Sequence, residues 1–94
     1  MPRFVIERDI PNIGSADREA LREAAHKSNG VLAAMNAEKK NIKWEHSYVT
    51  GDKIFCIYIA DKEALIQEHA VRSGFPATKV TEVRKLIDPV TAEG

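Results

Sequence analysis

Apolar and polar positions alternate with different periods along this chain, and each change of period marks an element. Phe4, Val5 and Ile6 open a β-prone run over 3–10 that Pro11-Asn12-Ile13-Gly14 ends, which predicts a first strand. Ser15 or Asp17 can then cap a helix with acids in its first turn. Leu21, Ala24, Ala25, Ser28, Val31, Leu32 and Met35 follow at helical spacing as one apolar stripe. Gly30 interrupts that stripe at a cost of about 1 kcal/mol against Ala, so a kink or a close approach is expected there. After a polar connector over 37–41, two aromatic and β-branched runs, 42–50 and 53–60, flank Thr50-Gly51-Asp52-Lys53, a hairpin signal. Asp61-Lys62-Glu63 opens a second helix carrying Ile66, His69, Ala70 and Ser73 on one side, with Gly74 as its left-handed end and Pro76 preventing continuation. A last strand is expected over 79–87, then Asp88-Pro89 as a terminator and a tail, 89–94, that frays.

Strand, helix, strand, strand, helix, strand closes most simply as a split-βαβ unit. This is an α+β fold in which four antiparallel strands lie in the order 4-1-3-2 with both helices on one face. The whole of 1–94 makes one domain, burying roughly 60–65% of its unfolded surface. The other sheet face must be solvated, covered by a partner or used as a site. Side-chain alternation assigns Phe4 and Ile6 of the first strand, and the purely apolar Phe55, Ile57 and Ile59 of the third, to the helices. Val5, Glu7 and Asp9 then lie outside, with Ile54, Cys56 and Tyr58. In the fourth strand Val83 and Ile87 suit the core, sending Glu82, Arg84 and Leu86 outward. The second strand depends on hairpin length: a three-residue turn places Trp44, His46 and Tyr48 on the open face, and a two-residue turn places Glu45, Ser47 and Val49 there. The first is preferred, because Trp and Tyr suit a half-buried interface.

Charge narrows the partners. Fourteen basic and fourteen acidic side chains cancel, so the electrostatic footprint of a nucleic-acid binder is missing and a barrier to self-association is removed. One Cys allows no internal disulfide and fits a reducing compartment. No signal peptide or membrane-length apolar stretch is visible, and a soluble cytoplasmic protein without membrane attachment is expected.

The open face so drawn carries the candidate chemistry. Glu7 and Glu82 come from neighbouring strands and should repel unless a proton or cation sits between them. With His46 they offer two carboxylates and an imidazole, donors suited to a divalent ion of the nickel, iron or zinc kind. Against this stands the plainer possibility that both acids pair with Arg3, Arg8 or Arg84 and that His46 is an ordinary strand residue. Glu68 and His69 form a second pair, but adjacent helical residues point about 100° apart and cannot easily share one ion. His69 falls on the apolar stripe, as a half-buried histidine would, and His26 reads as surface. Cys56 could serve as a soft ligand or as a nucleophile with His46, yet a lone strand Cys is more often a small buried hydrophobe. Tyr48 and Tyr58 read as packing rather than proton donors. No glycine-rich phosphate loop or Ser-His-Asp arrangement occurs.

Phe-Val-Ile-Glu-Arg-Asp-Ile-Pro at 4–11, His-Ser-Tyr-Val-Thr at 46–50, Asp-Lys-Ile-Phe-Cys-Ile-Tyr at 52–58, Glu-His-Ala at 68–70, Gly-Phe-Pro at 74–76 and Val-Thr-Glu-Val at 80–83 resemble one family over nearly the whole chain. It is a group of small bacterial ferredoxin-like proteins of undefined function, with nickel binding described in a member. The resemblance implies a ferredoxin-like homodimer that takes nickel or another divalent transition metal, with Glu7, His46 and Glu82 as ligands and Cys56, Tyr58, Glu68 and His69 as outer candidates. Two further roles stay open. One is a dimeric α/β-barrel type of enzyme, with a small organic substrate held between sheet and helices and Glu7, His46 or Tyr58 doing acid–base work. It predicts a roomy, mostly apolar pocket with one strongly shifted carboxylate or imidazole. The other is an interaction module, with the sheet face only packing and Glu7 and Glu82 salt-bridged to arginines.

Overall fold

The computed structural model describes residues 1–94. Its strands are β1 (Arg3–Asp9), β2 (Ile42–Val49), β3 (Lys53–Ala60) and β4 (Lys79–Glu82), and its helices α1 (Arg18–Ala37) and α2 (Glu63–Ser73). Short 3-10 turns at Ile13–Ser15 and Pro89–Glu93 complete it. The sheet order β2-β3-β1-β4 is the expected order read from the other edge, and every pairing is antiparallel. Phe4, Ile6, Ile42, Cys56, Tyr58 and Ala60 from one sheet face join Leu32 and Met35 of α1 and Leu65 and Ile66 of α2 in a single core, so both helices cover that face. No helix is long and apolar enough to cross a membrane.

Local chemistry explains the helix ends. Asp17, not Ser15, caps α1, its carboxylate accepting from the Ala20 amide at 2.8 Å. Gly74 takes the left-handed conformation, φ 80°, and its N–H donates to the Ala70 carbonyl at 2.9 Å. Gly14 is needed for proximity: a Cβ there would stand 2.7 Å from the Thr50 carbonyl oxygen, against the hairpin turn. Gly30 meets nothing within 4 Å, and α1 continues through it, so the close approach expected there is absent.

Three facings depart from expectation. In β1, Phe4, Ile6 and Arg8 point to the helices and Val5, Glu7 and Asp9 away, as alternation requires. In β3 the parity is the reverse of that expected. Cys56 pairs with Ile6 and Tyr58 with Phe4, so both lie in the core, and Phe55, Ile57 and Ile59 face outward. Apolarity alone misassigned this strand, because the inward side chains are those whose polar atoms find buried partners, as Tyr58 does with Ser28.

β2 combines features of both alternatives. Val49 pairs with Ile54 and the Thr50 amide donates to the Lys53 carbonyl at 2.8 Å, leaving a two-residue loop of Gly51 and Asp52. With β3 reversed, that loop still places His46 and Tyr48 outside, opposite Ile57 and Phe55. A bulge between Trp44 and His46 then shifts the register, so Trp44 lies opposite Tyr58 on the helix side instead of the open face. The Trp44 indole Nε1 donates to Ser47 Oγ at 2.8 Å across the bulge.

β4 ends at Glu82, well short of residue 87, and Asp88 caps the last 3-10 turn with a reciprocal Thr91 bond instead of introducing a frayed end. Val83 and Ile87 were expected in the core. Val83 is half-buried beyond the strand, and Ile87 is 79% exposed.

Candidate functional site

The uncovered sheet face is a stripe of half-buried Val5, Phe55, Ile57 and Ile59, with His46 and Tyr48 exposed along its β2 side. The His46 and Tyr48 rings meet edge to face at 5.2 Å. Ion pairs border the stripe. Lys53 Nζ lies 3.4 Å from Glu7 Oε1 and 3.6 Å from Asp9 Oδ1. Arg3 grips the bulge residue Glu45 through Nε at 2.6 Å and Nη2 at 3.2 Å, and that hydrogen bonding holds the Glu45 carboxyl below its usual range.

The seven candidate ligands do not gather there. Glu7 and His46 share the face, with β3 between them. Glu82 pairs with Phe4 and therefore lies on the opposite side of the sheet from Glu7, so the expected juxtaposition of the two acids does not form. The register against β1 decides this facing, setting Val80 opposite Ile6 and Glu82 opposite Phe4. Cys56 and Tyr58 are in the core. Glu68 belongs to a ring of alternating charges: Lys40 Nζ and Arg72 Nη1 each reach it at 2.9 Å, and both cations also hold Glu38. These bonds, Arg72's first, lower the Glu38 carboxyl to about 2. His69 is fully buried, with Nε2 3.1 Å from Ser28 Oγ. No group of three His, Cys, Asp or Glu side chains comes together within one chain.

A different site lies between α1 and the sheet. A cavity of about 270 Å³ is walled by Leu21 and Ala24 of α1, by Trp44, Ile54 and Tyr58 of the sheet, and by Phe75 after α2. Arg8, Ser28 and Ser47 are its only polar lining residues. Arg8 is 3% exposed. Its Nη1 donates to the Pro76 carbonyl at 2.8 Å and its Nε approaches Cys56 Sγ at 3.4 Å. The guanidinium stands 5.9 Å from the Tyr58 ring centre, while Nη2 has no partner. Behind this, Ser28 Oγ is within reach of Tyr58 Oη at 3.4 Å and of His69 Nε2, and His69 Nδ1 is also unpartnered. Burial first, and then the Arg8 charge, lowers His69 to about 4, which keeps the imidazole neutral at pH 7. Burial likewise raises the Tyr58 hydroxyl.

Sequence reasoning passed over Arg8, Ser28 and Trp44 as site residues. The signal for Arg8 was present: two residues beyond Ile6, it keeps the phase of Phe4 and Ile6 and so had to point inward.

The chain resembles known proteins over most of its length. A family model described as "Nickel responsive protein SCO4226-like" matches residues 4–83. No curated protein matches the sequence. The crystal structure of SCO4226 from Streptomyces coelicolor superimposes with a TM-score of 0.74, covering 90% of this chain and 99% of that one at 17% identity, a likeness of fold. The match to the family model spans both helices and all four strands, and the chain accordingly belongs to the SCO4226-like family of nickel responsive proteins.

Proposed function

We propose that this protein is a cytoplasmic, nickel-binding homodimer whose subunits meet through the uncovered sheet face, with metal ligands drawn from both copies. The observation that carries this reading is His46, the one histidine on that face; His26 is exposed on α1 and His69 is buried. Of the seven candidate ligands only His46 and Glu7 lie on that face, too few donors to hold an ion of this class, and a second copy doubles them. The family description supports nickel as the metal. The apolar stripe and its bordering acid–base pairs support a self-complementary contact. The single thiol, Cys56, is free, in keeping with a reducing compartment.

Calorimetric titration with nickel tests the proposal, alongside mass measurement in solution. Wild-type protein should bind nickel as a dimer, and His46→Ala should weaken binding at least about tenfold. No heat above buffer, or an unchanged affinity in the variant, would refute it.

The cavity gives some support to the small-organic-ligand alternative, having the size and apolar character that role requires. The shifted imidazole sits behind Ser28 instead of in the wall. For the interaction module, the expected arginine pairing of both acids is missing: Glu7 meets Lys53, and Glu82 forms no ion pair.

A further inference from the structure

We propose that the cavity between α1 and the sheet binds a small organic carboxylate, its charged end on Arg8 and its apolar body against Leu21, Ala24 and Trp44. The starting point is a charge without a counter-charge. A guanidinium stays protonated in any protein setting, so Arg8 cannot escape burial by losing a proton. Buried charges are otherwise paired, because desolvation is costly. Yet no carboxylate bridges Arg8, although the chain places carboxylates beside five other cations, Arg3, Arg22, Lys40, Lys53 and Arg72. One carbonyl, one sulfur and one aromatic face meet the guanidinium in part and leave Nη2 bare. A ligand carboxylate would supply both the missing charge and the missing acceptor, in the fork geometry that guanidinium favours.

The rest of the cavity sets the ligand's other half. A pocket for a free inorganic anion would need polar walls, whereas these are apolar apart from Arg8, Ser28 and Ser47. No acidic residue lines it, and Lys27 Nζ lies over the ring of Phe75, a wall residue, 5.7 Å from its centre. A cavity of about 150 Å³ holds benzene. About 270 Å³ therefore suits an acid from benzoate to octanoate in size. The proposal is independent of the metal reading, because none of its residues lies on the open face.

The single Trp reports directly, since Trp44 is in the wall. Its emission is followed in the full chain, with a chelator present, during titration with sodium octanoate, 1-octanol or sodium sulfate. A saturable change with octanoate is expected, with 1-octanol weaker by about tenfold or more and sulfate inert. Arg8→Met should erase the preference for the acid over the alcohol. Ala24→Phe, which leaves Arg8 in place and fills the cavity, should abolish the response even if Arg8→Met fails to fold. The proposal is overturned by no saturable response to octanoate, by equal affinity for acid and alcohol, by an equal response to sulfate, or by undiminished octanoate binding in Ala24→Phe.

Discussion

His69 carries a consequence for stability that can be worked out from its surroundings. In the unfolded chain its imidazole titrates near the ordinary value of about 6.5, whereas in the fold it does so at about 4. Between those values the unfolded chain holds more protons, so falling pH favours unfolding. The contribution is full above about 6.5 and is lost progressively on the way to 4; it amounts to roughly 3 kcal/mol in all, about 2 kcal/mol of it gone by pH 4.5. Urea denaturation at pH 7 and pH 4.5 should show that loss, and His69→Gln should flatten it. The charge ring and the Arg3–Glu45 pair act in a lower window, since Glu38, Glu45 and Glu68 are depressed carboxyls whose contribution persists until they protonate. His69 was correctly legible in the sequence as a histidine on the apolar stripe of α2. Its partner Ser28 was legible only as a member of the α1 stripe, because a hydroxyl and an imidazole 41 residues apart leave no mark of their meeting.

Among the elements, the clearest lesson lies in what period and punctuation can reach. The two helices and the hairpin stand where their caps, stripes and turn residues put them, since each of those signals is local. Facing is not local. In β3 both faces are apolar, and only the company found inside, Ser28 for Tyr58 and Arg8 for Cys56, separates them. In β2 a single bulge defeats strict alternation, and nothing between residues 44 and 46 announces it. Within α1, Gly30 is exposed, helical and free of neighbours. Gly30→Ala should therefore stabilise the protein by about 0.5–1 kcal/mol, read as a higher denaturation midpoint with unchanged slope.

The molecule as a whole presents one covered and one bare sheet surface, and along β3 it is the bare one that carries the purely apolar set. Phe55, Ile57 and Ile59 line up along β3 with Val5 beside them, so in the proposed homodimer a charge placed at their centre should be felt between subunits more than within one. Ile57→Lys is expected to yield a folded monomer by light scattering, with the thermal unfolding of wild-type protein depending on concentration and that of the variant not. An unchanged dimer mass for the variant would show that the subunits meet elsewhere. The family match stops at residue 83, close to where the chain leaves β4 at Glu82. Beyond it, Leu86, Ile87 and Val90 are each at least 67% exposed, so the shared architecture ends with the sheet.

The bulge at Glu45 makes β2 a strand with two audiences. Upstream of it the indole faces the enclosed chamber; just downstream the imidazole faces the outside world. Flattening the bulge without shortening the chain would restore plain alternation, turning Lys43 inward and Trp44 out, and so exchange an aromatic wall for an ammonium in the chamber. One extra residue, at a spot that looks like ordinary edge strand, is therefore what keeps the indole in the wall while the imidazole stays outside.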